Sequence, residues 1–174
     1  AFTDKTIRVD SADLATAIKI VDRSKLDGWA EARFVEELGE YKGGRTAEFT
    51  FRHLLVGLCL VAMSGRPMHL RGLVRTLNAL TGSQKRKLDL PASVTERMVS
   101  RRWNVLADLV DPSEFSERNR ARKADMTGEE WEIESGKRDA RLRFVLDELL
   151  AASIPADARN AGCYAIDATG VPSW

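Results

Sequence analysis

Cysteine and histidine are scarce in this sequence, with two of each among 174 residues. Cys59 and Cys163 lie far apart, each in an apolar run, which excludes a disulfide framework and suits buried thiols in a reducing cytoplasm. Neither histidine stands at a ligand spacing from a cysteine, so a zinc site is not expected. Long apolar runs are also missing. "HLLVGLCLVAM" is eleven residues, too short for a membrane span and suited to a buried core helix. No secretory signal, internal repeat or low-complexity segment is visible. The 44% hydrophobic content still allows a true core.

Net charge is scarce as well, at +1. Its distribution is uneven: Gly65 to Asn104 holds nine Lys/Arg and two Asp/Glu, so the remainder of the chain is acidic. Such asymmetry points to one basic surface and hence to a polyanionic partner. The plain alternative is a solvated face of Arg-rich helices.

Helical patterns dominate what is present. Asp10 and Ser11 are capping types before Leu14, Ile18 and Val21 at helical spacing. "WAEARFVEELGEY" reads as a second helix that Gly43-Gly44 ends. Thr50 is the expected N-cap of a third, from Phe51 to Ser64, apolar nearly all round and therefore central; Gly65 and Pro67 stop it. The next helix places Leu70, Leu73, Val74, Leu77 and Leu80 opposite Arg71, Arg75 and Asn78. "TGS" reads as a turn, and "SQKRKLDLP" as one and a half helical turns. Ser93 and Glu96 form an S-x-x-E capping box for a helix to about Val110, with Arg97, Arg101 and Asn104 along one polar line and Arg102 beside it. "EFSERNRARKAD" reads as a linker or irregular helix. Thr127 and Glu130 start a long helix to about Ala152, its buried side Leu142, Val145, Leu146, Leu149 and Leu150. After a loop, "CYAIDATGV" reads as a short strand that carries Asp167.

Helix, short helix and longer helix between His69 and Val110 make a helix-turn-helix-like unit. Such a unit presents the first turns of its last helix to the major groove. Arg97, Arg101, Arg102 and Asn104 are candidates for base or phosphate contact, since the guanidinium fork matches guanine edges. Arg71, Arg75, Lys85, Arg86 and Lys87 are candidate phosphate contacts. His53 reads as a satisfied, partly buried histidine, and neither it nor His69 has relay partners. Trp29, Trp103 and Trp131 read as packing anchors, although Trp103 follows Arg101-Arg102 and alternatively sits at the edge of a DNA interface. Terminal Trp174 reads as apolar surface awaiting the rest of a domain.

The stretches "VDRSKLDGWAEARF", "RHLLVGLCLVAMSGRPMHLRGLVRTL", "RRWNVLADLVDPSEF" and "DARLRFVLDELLAASIP", followed by "YAIDATGVPSW", are similar in order and spacing to a family. They resemble the N-terminal region of a bacterial, actinobacterial-type insertion-sequence DDE transposase. The resemblance covers most of residues 20–174. It implies a mainly α fold, a helical bundle with a helix-turn-helix-like unit, followed by the first strand of an RNase H-like α/β domain. It implies N-terminal helices over 1–49, a DNA-binding region over 50–112, a connecting long helix over 113–162 and the start of a catalytic domain at 163–174. It also implies double-stranded DNA with terminal inverted repeats as partner, a possible homodimer, no membrane, and a cytoplasmic location at the bacterial nucleoid.

In that family Asp167 matches the first acid of the triad, a catalytic and metal-binding residue, with Thr169 at most supporting it. The full-length enzyme would use Mg²⁺ or Mn²⁺, because two divalent ions held by carboxylates activate the nucleophile and stabilise the leaving oxygen. The sequence ends seven residues after Asp167, before the other acids, so it reads as a fragment or truncation. Alone it is expected to bind no metal stably and to be inactive in cleavage and strand transfer. The local alternative for Asp167 is a carboxylate capping the turn at Thr169 or Gly170. The first phosphate loop of an actin-like ATPase fits poorly, since "DATGVPS" is too poor in glycine. Two functional alternatives remain: a non-enzymatic helical DNA-binding regulator or transposase relic, and a helical protein-interaction module.

Overall fold

The computed structural model describes residues 7–38 and 48–155. Among them are eight helices and no strand: α1 (Ser11–Ser24), α2 (Leu26–Leu38), α3 (Phe51–Met63), α4 (Leu70–Asn78), α5 (Gly82–Lys87), α6 (Glu96–Val110), α7 (Glu117–Ala124) and α8 (Gly128–Ser153). The mainly α bundle is therefore as expected. The expected strand, its Asp167 and the rest of 163–174 lie outside the described residues.

Local chemistry explains most boundaries. Asp10 caps α1 by accepting the Ala12 amide. Lys25, in the left-handed region at φ 53°, turns the chain directly into α2. Thr50 caps α3, and Gly65 at φ +63° leads the chain away from its end. Thr127 and Glu130 form the expected reciprocal box at the start of α8. The Thr127 amide donates to the Glu130 carboxylate and holds its pKa below the usual range.

Two starts differ from the pattern. Thr81 is not part of a simple turn: with Gln84 it builds a capping box for α5. And α6 is capped by Thr95, not Ser93. The cause is Asn78, whose Nδ2 donates to the Val94 carbonyl at 2.8 Å and whose Oδ1 accepts the Val94 amide at 2.9 Å. With both backbone groups held and its side chain buried, Val94 stays outside the helix, which begins two residues later.

Helix α3 is the hub, with α1, α2, α4 and α6 packed around it. One hydrophobic core runs from Leu14 to Val145, across the 49/50 and 112/113 boundaries. The α3–α4 contact is close at Gly57, where a Cβ would stand 2.6 Å from Leu73 Cδ1. The "linker" after residue 114 folds as α7, capped by Ser116. Helix α8 packs on α1, α2 and α6, but its buried line differs from the expected one. Val145 is buried and Leu142 and Leu149 partly so, while Leu146 and Leu150 are 56% and 59% exposed. Arg138 and Arg141 occupy the interior positions instead, which turns the leucine line outward. Among the described residues no helix is long and apolar enough to cross a membrane.

Candidate nucleic-acid interface

Helices α4 and α6 pack on each other. Asn78 at the end of α4 meets Val94 just before α6, while Leu70 and Leu73 near the start of α4 meet Trp103 midway along α6. Their apolar faces turn to α3 and the core, which leaves an arginine-bearing line of each helix on the outside. Arg71 and Arg75 are exposed on α4; Arg97 and Arg101 are exposed on α6. Arg71 Nε lies 3.5 Å from Glu96, which links the first turns of the two helices. Both partners are well solvated, and such a pair contributes little to stability. Arg97 and Arg101 make no ion pair or hydrogen bond among the described residues.

The α5 cations lie before this face. Lys85 Nζ donates to the Ala92 carbonyl at 2.7 Å, fastening the loop that leads to α6. Arg86 and Lys87 are exposed on the last turn of α5. Asn104, half-buried, ends the α6 line, and its carbonyl accepts from Arg118 at 3.0 Å.

Arg102 is a correction to the expected contact set. It is 9% exposed and points into the core, not out with Arg97 and Arg101. Its Nε donates to the Phe49 carbonyl at 3.1 Å, and its guanidinium lies 4.6 Å from the centre of the Phe51 ring and 5.8 Å from that of Phe34. Glu31 stands 3.9 Å away. Burial lowers its pKa, Glu31 opposing, but a guanidinium stays charged in proteins. The reason is geometric: one step along a helix is 100°, so Arg102 falls on the line of Val99, Leu106 and Leu109.

Of the nine cations between Gly65 and Asn104, eight therefore reach the surface, Lys85 only partly, against two exposed acids. Two exposed cations are absent from the expected set, Arg66 and, from outside that stretch, Arg118. Arg66 lies in the turn before α4, inside the stretch whose charge bias marked it. Arg118 arrives only because α7 folds back on α6, which no local pattern signals; it is shared with Asp108 at 3.6 Å.

His53 belongs to the scaffold. Its Nδ1 accepts the Thr50 amide at 3.0 Å and its Nε2 donates to the Leu88 carbonyl at 2.7 Å, so it links the α3 cap to the loop before α6 as a neutral imidazole. Among the described residues no three His, Cys, Asp or Glu side chains gather as metal ligands, and Asp167 is not one of those residues. No protein-family model matches the chain, and no characterised protein or solved structure is significantly similar to it.

Proposed function

We propose that this chain is the DNA-binding, helical part of a DDE-type transposase, and that it grips duplex DNA, as at transposon ends, with the outer face of α4 and α6. The observation that carries the reading is the pair of solvated guanidiniums of Arg97 and Arg101, which the fold does not use. They lie on the helix that packs on the one bearing Arg71 and Arg75, within a stretch, Gly65 to Asn104, whose surface carries a surplus of six positive charges. Such a face neutralises phosphates, and α6 presents its first turns outward as a reading helix of a helix-turn-helix-like unit would. In this reading Asp167 would be a carboxylate ligand for Mg²⁺ or Mn²⁺ in the full enzyme, where such ions would supply activation of the attacking oxygen and stabilisation of the leaving one.

Fluorescence anisotropy with labelled duplex DNA across a salt series tests the DNA grip. The expected result is binding at low salt whose logarithm falls linearly with the logarithm of salt concentration, since each neutralised phosphate releases counterions. Absence of binding at low salt, or binding indifferent to salt, rejects it. The exposed leucines of α8, Leu146 and Leu150, favour a second reading, a helical protein-interaction module. That reading is preferred if DNA binding is absent and the protein self-associates.

A further inference from the structure

A small pocket lies where the segment before α1 meets α3 and α4, and no residue of α6 lines it. Its volume is about 30 Å³, two to three times the roughly 10–15 Å³ that one water needs. Arg8 and Arg66 line it from two segments far apart in the chain. Both residues are exposed, and neither side chain makes an ion pair or hydrogen bond among the described residues. Asp13 is the one acid on its wall, and no ion pair joins it to either guanidinium. The two hydroxyls of the wall differ. Ser64 Oγ donates to the Val61 carbonyl at 2.7 Å. Thr76 is 3% exposed, yet its hydroxyl has no partner among the described residues. Among those residues no enclosed side-chain polar atom is left unpaired, so the Thr76 hydroxyl must open onto the pocket that Thr76 lines. Polar groups this deep in a protein are as a rule hydrogen-bonded, so an unpaired one calls for an occupant.

We propose that this pocket binds one phosphate group, held between the Arg8 and Arg66 guanidiniums with the Thr76 hydroxyl as a third donor. Charge, donors and room all bear on the occupant. Two guanidiniums against one carboxylate leave the pocket positive, which selects an anion. A guanidinium only donates, and an unpaired hydroxyl is free to donate as well. Two forks and a hydroxyl offer more donors than the two oxygens of a carboxylate readily take. The three acceptor oxygens of a phosphate group take them together. The volume admits an ion-sized head and no ring or side chain behind it. A free phosphate ion and a phosphate of a DNA strand present the same chemistry here. Either would bridge the segment before α1 to the turn between α3 and α4. The inference stands apart from the DNA-binding reading, since none of Arg71, Arg75, Arg97 and Arg101 lines the pocket.

The test is thermal unfolding of the whole chain in about 20 mM sodium phosphate and in sodium chloride of equal ionic strength. The midpoint is expected to be higher in phosphate by about 3 °C, because a ligand that binds only the folded state raises it. Arg8→Gln, Arg66→Gln and Thr76→Val are each expected to lose most of that shift. Arg120→Gln, at an exposed position of α7, is expected to keep it. Asp13→Asn is expected to enlarge it, since a like charge leaves the site. If Thr76→Val fails to fold, the two exposed arginine variants carry the test. A second arm measures the DNA affinity of Arg66→Gln across salt. An unchanged slope assigns the site to the free ion, and a slope smaller by about one assigns it to a DNA phosphate. A shift that all three site variants retain, or that Asp13→Asn abolishes, overturns the proposal. With no shift in the wild type, the site stands only if Arg66→Gln and Thr76→Val both weaken DNA binding, and is otherwise overturned. A phosphate shift in a protein that binds no DNA upholds the site while the DNA reading falls.

Discussion

Arg101 and Arg102 are neighbours in the chain, and α6 turns one to solvent and the other into the core. The contrast extends to whole regions. On the side where α6, α7 and α8 meet, nearly every arginine is held. Arg122 forks onto Asp108 at 3.1 and 3.2 Å. Arg138, 1% exposed, donates to Glu134 at 2.7 Å and to the Asp108 carbonyl. Arg141 reaches Glu37 and the Leu109 carbonyl. On the α4–α6 face, Arg97 and Arg101 have no such partners among the described residues. The first group is built into the fold, because an unpaired buried cation would cost several kcal/mol. The second contributes almost nothing to the fold, so its positions are free to serve a ligand.

The comparison breaks most visibly at Arg138. Arg138→Met removes the buried cation that satisfies Glu134 and the Asp108 carbonyl, and a loss of about 3–5 kcal/mol in urea unfolding is expected. A loss below about 1 kcal/mol would mean that the buried arginines are not structural and would erase the distinction. Arg102→Met should rank next, at about 2–3 kcal/mol, since the Phe49 carbonyl loses its donor and two rings lose their cation. Once folded, this variant should bind DNA as the wild type does.

A smaller effect separates guanidinium from imidazole inside the same core. His53 is buried and neutral, and burial lowers its pKa below the usual 6.5, while its bond to Leu88 works the other way. Protonation would turn Nδ1 from acceptor to donor against the Thr50 amide. The unfolded chain takes up a proton near pH 6.5 and the folded chain only at lower pH. Stability is thus complete above that pH and declines as pH falls below it towards the folded-state value. Urea midpoints measured between about pH 7 and 5.5 should drop for the wild type and stay flatter for His53→Gln.

Much of this was legible in the sequence where one local rule decides the outcome. The Asp10, Thr50 and Thr127 caps follow from side-chain chemistry within three residues, and the central place of α3 follows from its lack of a polar face. Readings failed where a distant residue intervened. Asn78 moved the start of α6 by holding Val94 from sixteen residues away. Arg102, Arg138 and Arg141 look like surface residues by type, and only the carbonyls and rings of other helices reveal them as interior. Leu146 and Leu150 were displaced outward by those same arginines. At the candidate interface, helical phase separated Arg97 and Arg101 from Arg102 once the buried line of α6 was known. Nothing local could show that Arg118 would come to Asn104.

The sharpest test of the comparison is one that predicts almost no change in stability. Arg97→Ala and Arg101→Ala, singly or together, delete side chains that touch no acid, carbonyl or ring among the described residues. Surface substitutions of that kind stay within about 0.5 kcal/mol, and alanine favours a helix at least as well as arginine. The double variant should unfold at the urea concentration of the wild type. Its DNA affinity should fall, and the slope of binding against salt should shrink by about two, close to one for each phosphate no longer neutralised. Arg102→Met should show the reverse pattern, a lower midpoint with an unchanged slope. If the double variant lost stability as Arg102→Met does, or kept the full salt slope, the division between scaffold arginines and ligand arginines would not hold, and α6 would have no claim to the DNA.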